Sequence, residues 1–184
     1  VGCPEGLLGN FICDLSLEFY KKTNYSSPTA DICILNNGGL RAPISKGPVT
    51  RANIFELMPF ENYLVVVELD PNKMQSLLEF ILKKSNECNS RKSGVPVSGI
   101  RISIEKSNIK RCMINNREIE EDKTYYVLTT DYLASGGDNM TFFNECKQYA
   151  TGLLLRNVIS EYVKNIGNNN IKIDAQLDGR IEFN

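Results

Sequence analysis

Thr129-Thr130-Asp131-Tyr132-Leu133-Ala134-Ser135-Gly136-Gly137-Asp138 is the stretch on which the reading of this chain turns. It closes Thr124–Thr130, an apolar, β-branched run that fits a buried strand, and passes into a loop holding an aromatic, two glycines and a carboxylate. Alone, it is a loop tyrosine and a turn aspartate. Together, these parts also suit a nucleoside, with a ring to stack on the base and a charged acceptor for ribose hydroxyls.

Two more loops adjoin strands in the same manner. Asn36-Asn37-Gly38-Gly39-Leu40-Arg41 follows Ala30–Leu35, a short apolar run of strand length. Its glycines permit close backbone approach, and Arg41 offers a planar donor fork matched to phosphate or carboxylate oxygens. Leu57-Met58-Pro59-Phe60-Glu61-Asn62 precedes Tyr63–Leu69, which is apolar on both faces and reads as a buried strand. Proline and loop backbone there would hold the Phe60 ring in a fixed position, as one wall of a slot for a flat ring. Read singly, the first loop is a turn with a surface arginine and the second holds a core phenylalanine.

Around these loops the spacing predicts a helix over Leu7–Thr23, with Leu8, Phe11, Ile12, Leu15, Leu17 and Phe19 on a broad apolar face. The segment Asn24-Tyr25-Ser26-Ser27-Pro28 ends it as a loop. Thr50 is placed to cap a helix over Arg51–Leu57, and Asp70 one in which Met74, Leu77, Leu78 and Ile81 recur at helical spacing. Lys84–Ser93 reads as polar loop, Ile100–Ile104 as a strand, and Asn115-Asn116 as a hairpin turn. Tyr149–Ile166 is expected to be an amphipathic helix closed by Gly167, and Arg180–Phe183 a final strand. Hairpin-like strands mixed with separate helices, without repeat or linker, indicate one α+β domain over residues 1–184.

Composition excludes several chemistries. The chain has no histidine, which removes His general-base catalysis, Ser-His and Cys-His pairs, and His-ligated metal centres. A net charge of -1 gives no global attraction to nucleic-acid polymers or anionic membranes. No apolar run approaches the ~20 residues of a transmembrane helix. Cys3, Cys13, Cys33, Cys88, Cys112 and Cys146 form no CxxC pair, so a zinc or thioredoxin-type motif is not expected. The chain opens at Val1 without a signal-peptide pattern, as a processed or trimmed product would.

Asn-x-Gly-Gly-x-Arg, Pro-Phe-x-Asn before an apolar strand, and Asp-Tyr-Leu-Ala-x-Gly-Gly-Asp, in that order, resemble the three motifs of the 5'-nucleotidase C-terminal domain. Leu8-Gly9-Asn10-Phe11-Ile12-Cys13-Asp14 is similar to that domain's opening helix. Gly94-Val95-Pro96-Val97-Ser98-Gly99-Ile100 resembles its central strand entry, and Asp178-Gly179-Arg180-Ile181 its closing strand. The resemblance covers essentially the whole chain and implies a layered α/β/β/α arrangement. It implies that Phe60 and Tyr132 sandwich a base, Asp138 accepts from ribose hydroxyls, Asn36 contacts base or sugar, and Arg41 holds phosphate. It implies no catalytic or metal-binding residue and no cofactor in this chain. Two divalent metal ions would sit in a calcineurin-like metallophosphoesterase domain or partner chain, which hydrolyses the ester while this domain positions the nucleotide.

Nucleoside monophosphates, nucleotide-sugar pyrophosphates and 2',3'-cyclic nucleotides are all used by similar enzymes, and a free-standing nucleoside-binding module is the alternative role. The family often carries an arginine shortly before the opening helix; here Val1-Gly2-Cys3-Pro4-Glu5-Gly6 has none, which weakens the implied phosphate grip. Cys13 and Cys33 match positions that are disulfide-linked in some exported members, with the other four cysteines unassigned. An extracytoplasmic location is expected from the same resemblance together with the even count of cysteines. Asn24-Tyr25-Ser26 and Asn139-Met140-Thr141 match glycosylation acceptors, and neither is read as modified.

Overall fold

A computed structural model describes residues 2–23, 28–88 and 94–184. The expected Asn24–Ser27 loop, its glycosylation match, and residues 89–93 of the Lys84–Ser93 loop lie outside the described residues.

Helices α1 (Leu7–Lys22), α2 (Arg51–Leu57) and α3 (Pro71–Asn86) form where apolar spacing and caps foretold them. Thr50 closes a capping box with Asn53, and the Asp70 side chain accepts from the Lys73 amide. Strands β1 (Ile32–Ile34), β2 (Tyr63–Leu69), β3 (Val97–Ser98), β7 (Tyr125–Thr130) and β8 (Gln148–Leu154) form a five-stranded sheet in the order β3-β1-β7-β2-β8. Strands β4 (Ile100–Glu105), β5 (Asn108–Ile114), β6 (Arg117–Glu118) and β9 (Ile181–Phe183) form a second sheet, ordered β6-β5-β4-β9. The α+β assignment holds. Among the described residues no helix is long and apolar enough to cross a membrane.

Alternation along β2 explains the layering. Leu64 and Val66 enter a core built with Ile12, Leu15, Leu57 and Ile159, from α1, α2 and α5 (Leu155–Asn168). Val65, Val67 and Leu69 enter the opposite core, with Met74, Leu77 and Ile81 of α3 and Ile100, Ile102 and Ile104 of β4. The five-stranded sheet is therefore buried on both faces, by helices on one side and by the second sheet with α3 on the other.

Three local expectations change. The helix expected over Tyr149–Ile166 begins only at Leu155, because Gln148–Leu154 pairs with β2. Gly152 sits at φ +72° there, a left-handed turn that an α-helix cannot continue through. α3 runs on to Asn86, taking in the first three residues of the loop expected from Lys84. The Asn115-Asn116 turn is present with both φ values positive, but a further turn at Lys106-Ser107 adds a strand that the sequence reading missed.

The motifs at the two ends of the chain meet in one polar cluster around a buried arginine. The Arg180 guanidinium, 7% exposed, donates to both Asp14 oxygens at 2.9 and 3.0 Å, to Asp178 Oδ1 at 2.8 Å and to the Val97 carbonyl at 2.8 Å. Burial alone would lower its pKa; the Asp14 and Asp178 carboxylates outweigh that and raise it. Asn10, one turn before Asp14 on α1, donates to Glu5 Oε2 and to the Gln176 carbonyl, both at 2.8 Å. These polar residues thus clasp the chain's end onto its opening helix.

The cysteine pairing differs from expectation. The disulfide joins Cys3 to Cys88, with Cα atoms 5.5 Å apart. Cys13 and Cys33 are free thiols, fully buried side by side in the α1 core. Burial, reinforced by the adjacent Cys33 thiol, pushes the Cys13 pKa well up.

Candidate functional site

Strand register brings the three sequence motifs to one end of the five-stranded sheet. β1 and β7 run parallel, with Ile32 beside Val127 and Cys33 beside Leu128, so the loops that follow them, bearing Asn36 and Tyr132, leave at the same end. β2 runs antiparallel to β7 with Leu64 opposite Thr130, so the loop before β2, bearing Phe60, arrives there too. Residues distant in sequence converge through pairing alone.

Asp138 is the centre of the polar contacts. Asn36 Nδ2 donates to its Oδ2 at 2.6 Å, and the Tyr132 hydroxyl donates to its Oδ1 at 3.0 Å. Asp138 lies in the left-handed backbone region at φ +49°, ψ +32°, which aspartate tolerates better than most side chains and which marks functional sites when held by its surroundings. Each carboxylate oxygen keeps lone-pair capacity beyond its single donor, so the group can still accept from a ligand. Gly137 allows the Tyr132 ring to lie where it does, since a Cβ there would stand 2.6 Å from the ring.

Phe60 and Tyr132 enter neither core; they are 43% and 47% exposed. Their loops are tied together by Asp131, whose Oδ1 accepts from the Tyr132 amide at 2.8 Å and from the Tyr63 amide at 3.2 Å. Thr130 caps the short helix α4 (Asp131–Ala134) through the Leu133 amide, fixing the start of the Tyr132 segment. Arg41 stands 6.0 Å from the Phe60 ring centroid, within cation–π range, and donates from Nη1 to the Gly38 carbonyl at 3.2 Å. Its own amide bonds the Leu57 carbonyl at 2.8 Å, which joins the first motif to the second.

All five expected residues therefore gather at one sheet end, in two contact groups: Asn36, Asp138 and Tyr132 in one, Arg41 and Phe60 in the other. Asp131 opens the third motif, yet the sequence gives it no role of its own, because its bond to the Tyr63 amide depends on a strand far away in the chain. Arg156 was also missed; it reads as one polar position on an amphipathic helix, yet its Nη1 reaches the Pro59 carbonyl at 3.2 Å. Nothing local in the sequence announces a partner so far away. Exposed Phe55 and Tyr63 enlarge the aromatic surface here.

Behind Asp138 lies a small cavity of about 130 Å³, bordered by Asn36, Asn37, Lys84, Gly94 and Asn139. A larger, mainly apolar groove of about 1080 Å³ runs between α1, the loop over residues 42–49 and the end of α5. It holds none of the five residues.

Comparison with known proteins agrees with this architecture. The family model described as 5'-nucleotidase, C-terminal domain, matches residues 2–145. A trifunctional nucleotide phosphoesterase protein, YfkN, of Bacillus subtilis (strain 168) is 31% identical over 198 residues, spanning 99% of this chain and 13% of that protein. A 5'-nucleotidase of Diplobatis ommata is 25% identical over 202 residues, spanning 96% of this chain and 33% of its own length. The crystal structure of a 5'-nucleotidase precursor from Thermus thermophilus superposes with a TM-score of 0.81 at 28% identity, covering 98% of this chain and 36% of that one. The chain thus spans a third or less of these two curated relatives.

Proposed function

The chain belongs to the 5'-nucleotidase C-terminal domain family, and on that footing we propose that it recognises the nucleoside part of a nucleotide whose phosphate ester a metallophosphoesterase domain hydrolyses. Phe60 and Tyr132 stack on the base, Asp138 accepts from the ribose hydroxyls, Asn36 contacts base or sugar, and Arg41 holds phosphate. The observation that carries the reading is the Asn36–Asp138–Tyr132 hydrogen-bonded chain, set at the sheet end from which the exposed Phe60 also projects. Stacking contributes about 1–3 kcal/mol per base and tolerates any base, so it gives affinity without choosing among them. The rim carboxylate favours a ribose bearing free hydroxyls.

These residues do not fit a metal pair. The chain has no histidine, and Asn36, Arg41, Phe60, Tyr132 and Asp138 together offer a single carboxylate, too few charged oxygen donors for two divalent ions. No hydrolytic step is therefore assigned to them; their contribution is orientation of the reacting phosphate. Venom 5'-nucleotidases stand among the relatives, and an extracytoplasmic location is proposed from that kinship and from the Cys3–Cys88 bridge.

Calorimetry and thermal shift with adenosine and AMP test the pocket. Binding by the wild-type chain, lost in Tyr132→Ala, supports it; a wild-type chain that binds neither removes it. Phosphate release from AMP on adding a metallophosphoesterase partner with Mn²⁺, Mg²⁺ or Zn²⁺ then separates a nucleotidase component from a free-standing nucleoside-binding module.

A further inference from the structure

Arg156 stands in the first turn of α5, 9% exposed, and takes no part in the contacts assigned above to nucleotide. A buried guanidinium is costly unless it is paired. Among the described residues its only carboxylate neighbour is Glu61, at 3.9 Å with that side chain 81% exposed, a separation and exposure at which an ion pair contributes little. Its Nε is buried and has no hydrogen-bond partner among the described residues. The group is thus poorly satisfied as a stabilising element.

What Arg156 does hold is the loop that carries Phe60. Nη1 donates to the Pro59 carbonyl at 3.2 Å and, more weakly, to the Met58 carbonyl at 3.5 Å. The guanidinium lies 4.4 Å from the Phe55 ring centroid, a cation–π contact with α2. Next to it on α5, the Leu155 amide donates to the Asn62 carbonyl at 3.0 Å. One helix start therefore grips the loop on both sides of Phe60, and proline fixes the dihedral just before the ring. An exposed ring gains from such support, because a wall held in place beforehand need not be ordered when ligand arrives.

We propose that Arg156 is the positioning residue of the Phe60 wall: it acts on nucleoside through the 58–62 backbone and not by touching the ligand. The proposal rests on the nucleoside-binding reading for its effect on affinity, whereas its effect on the loop stands by itself. Because the guanidinium is incompletely satisfied, methionine of similar length is expected to cost no stability.

The experiment compares wild-type chain with Arg156→Met and Arg156→Lys, measuring melting temperature, adenosine and AMP affinity, and hydrogen exchange in peptides spanning residues 58–63. In Arg156→Met, affinity falls about tenfold, exchange in 58–63 accelerates, and the melting temperature stays level or rises. Arg156→Lys, which keeps one cationic donor head without the fork, restores part of both. Wild-type exchange and affinity in Arg156→Met overturn the proposal, as does faster exchange throughout the chain with a lower melting temperature, which would make Arg156 a general packing residue. Should wild-type chain bind neither probe, the nucleoside reading fails, and the 58–63 exchange comparison still decides whether Arg156 holds the loop.

Discussion

The Tyr132 hydroxyl donates to Asp138 Oδ1 across 3.0 Å, so this ring and this carboxylate are one hydrogen-bonded unit. Asn36 holds the other carboxylate oxygen at 2.6 Å, which leaves Asp138 fixed from two separate loops. On the proposed reading, the ring and hydroxyl of Tyr132 have separable tasks.

Tyr132→Phe keeps the stacking face and removes one donor to Asp138. Tyr132→Ala removes both. Adenosine affinity is expected to fall less than about fivefold in the first and by about 1–3 kcal/mol in the second, measured by calorimetry. Equal losses in both variants would place the contribution in the hydroxyl and count against stacking.

Asp138→Asn tests the rim. Asparagine tolerates the left-handed backbone at this position, so the fold should hold, as judged by an unchanged melting temperature. The variant replaces a charged acceptor by a half-acceptor, and hydrogen bonds to charged groups are worth about 1.5–3 kcal/mol. Adenosine binding should drop to the level that wild-type chain shows for 2',3'-dideoxyadenosine, while binding of the dideoxy compound itself stays nearly constant. A parallel fall for both ligands would show that Asp138 serves the loop and not the ribose.

Much of this was legible in advance because short-range chemistry announces itself. Thr50 and Asp70 signal helix starts, β-branched runs signal β2 and β7, and the paired glycines mark the turn that follows β7. What could not be read depends on pairing across distance. Gln148–Leu154 carries apolar residues that also suit a helix face, and only the edge of β2 makes it a strand. Asp131 reaches Tyr63, and Arg156 reaches Pro59, through the register of β2 against β7 and the docking of α5, which no local pattern encodes.

Cysteine chemistry gives a direct check on how the opening segment is fastened to the end of α3. Peptide mapping under non-reducing conditions is expected to recover one bridge, Cys3–Cys88, and four thiols. Cys13, Cys33 and Cys112 are buried, and burial pushes the Cys112 pKa up to about 12, so these thiols resist alkylation in the native protein. Cys146, only half-buried, should label first. Recovery of a Cys13–Cys33 bridge instead would restore the pairing that family resemblance implied.

Arg180 is the place where stability and acidity are linked. Its guanidinium is 7% exposed among Glu5, Asp14, Asp178 and the Val97 carbonyl, so Arg180→Met leaves three carboxylates facing a cluster without its cation. Removing one member of a buried pair costs about 3–5 kcal/mol, and the lower end applies because Asp14 and Asp178 are partly exposed and can be rehydrated, while the mostly buried Glu5 keeps its Asn10 donor. For a chain of this size that corresponds to roughly 6–12 °C in melting temperature. Burial raises the Asp178 pKa, but hydrogen bonding and charge from Arg180, with help from Arg101, outweigh it and hold the pKa below the ordinary carboxylate value. A depressed folded pKa stabilises above the unfolded value near ~3.9 and is lost as pH falls through the lower, folded one. Wild-type chain should therefore lose stability on acidification below about pH 4, and Arg180→Met should lose less over that same interval. Adenosine affinity at neutral pH should remain unchanged in this variant, since the cluster joins α1, β3 and the closing segment and touches none of Asn36, Phe60, Tyr132 or Asp138. A melting temperature in Arg180→Met equal to wild type would show that the cluster is dispensable to the fold.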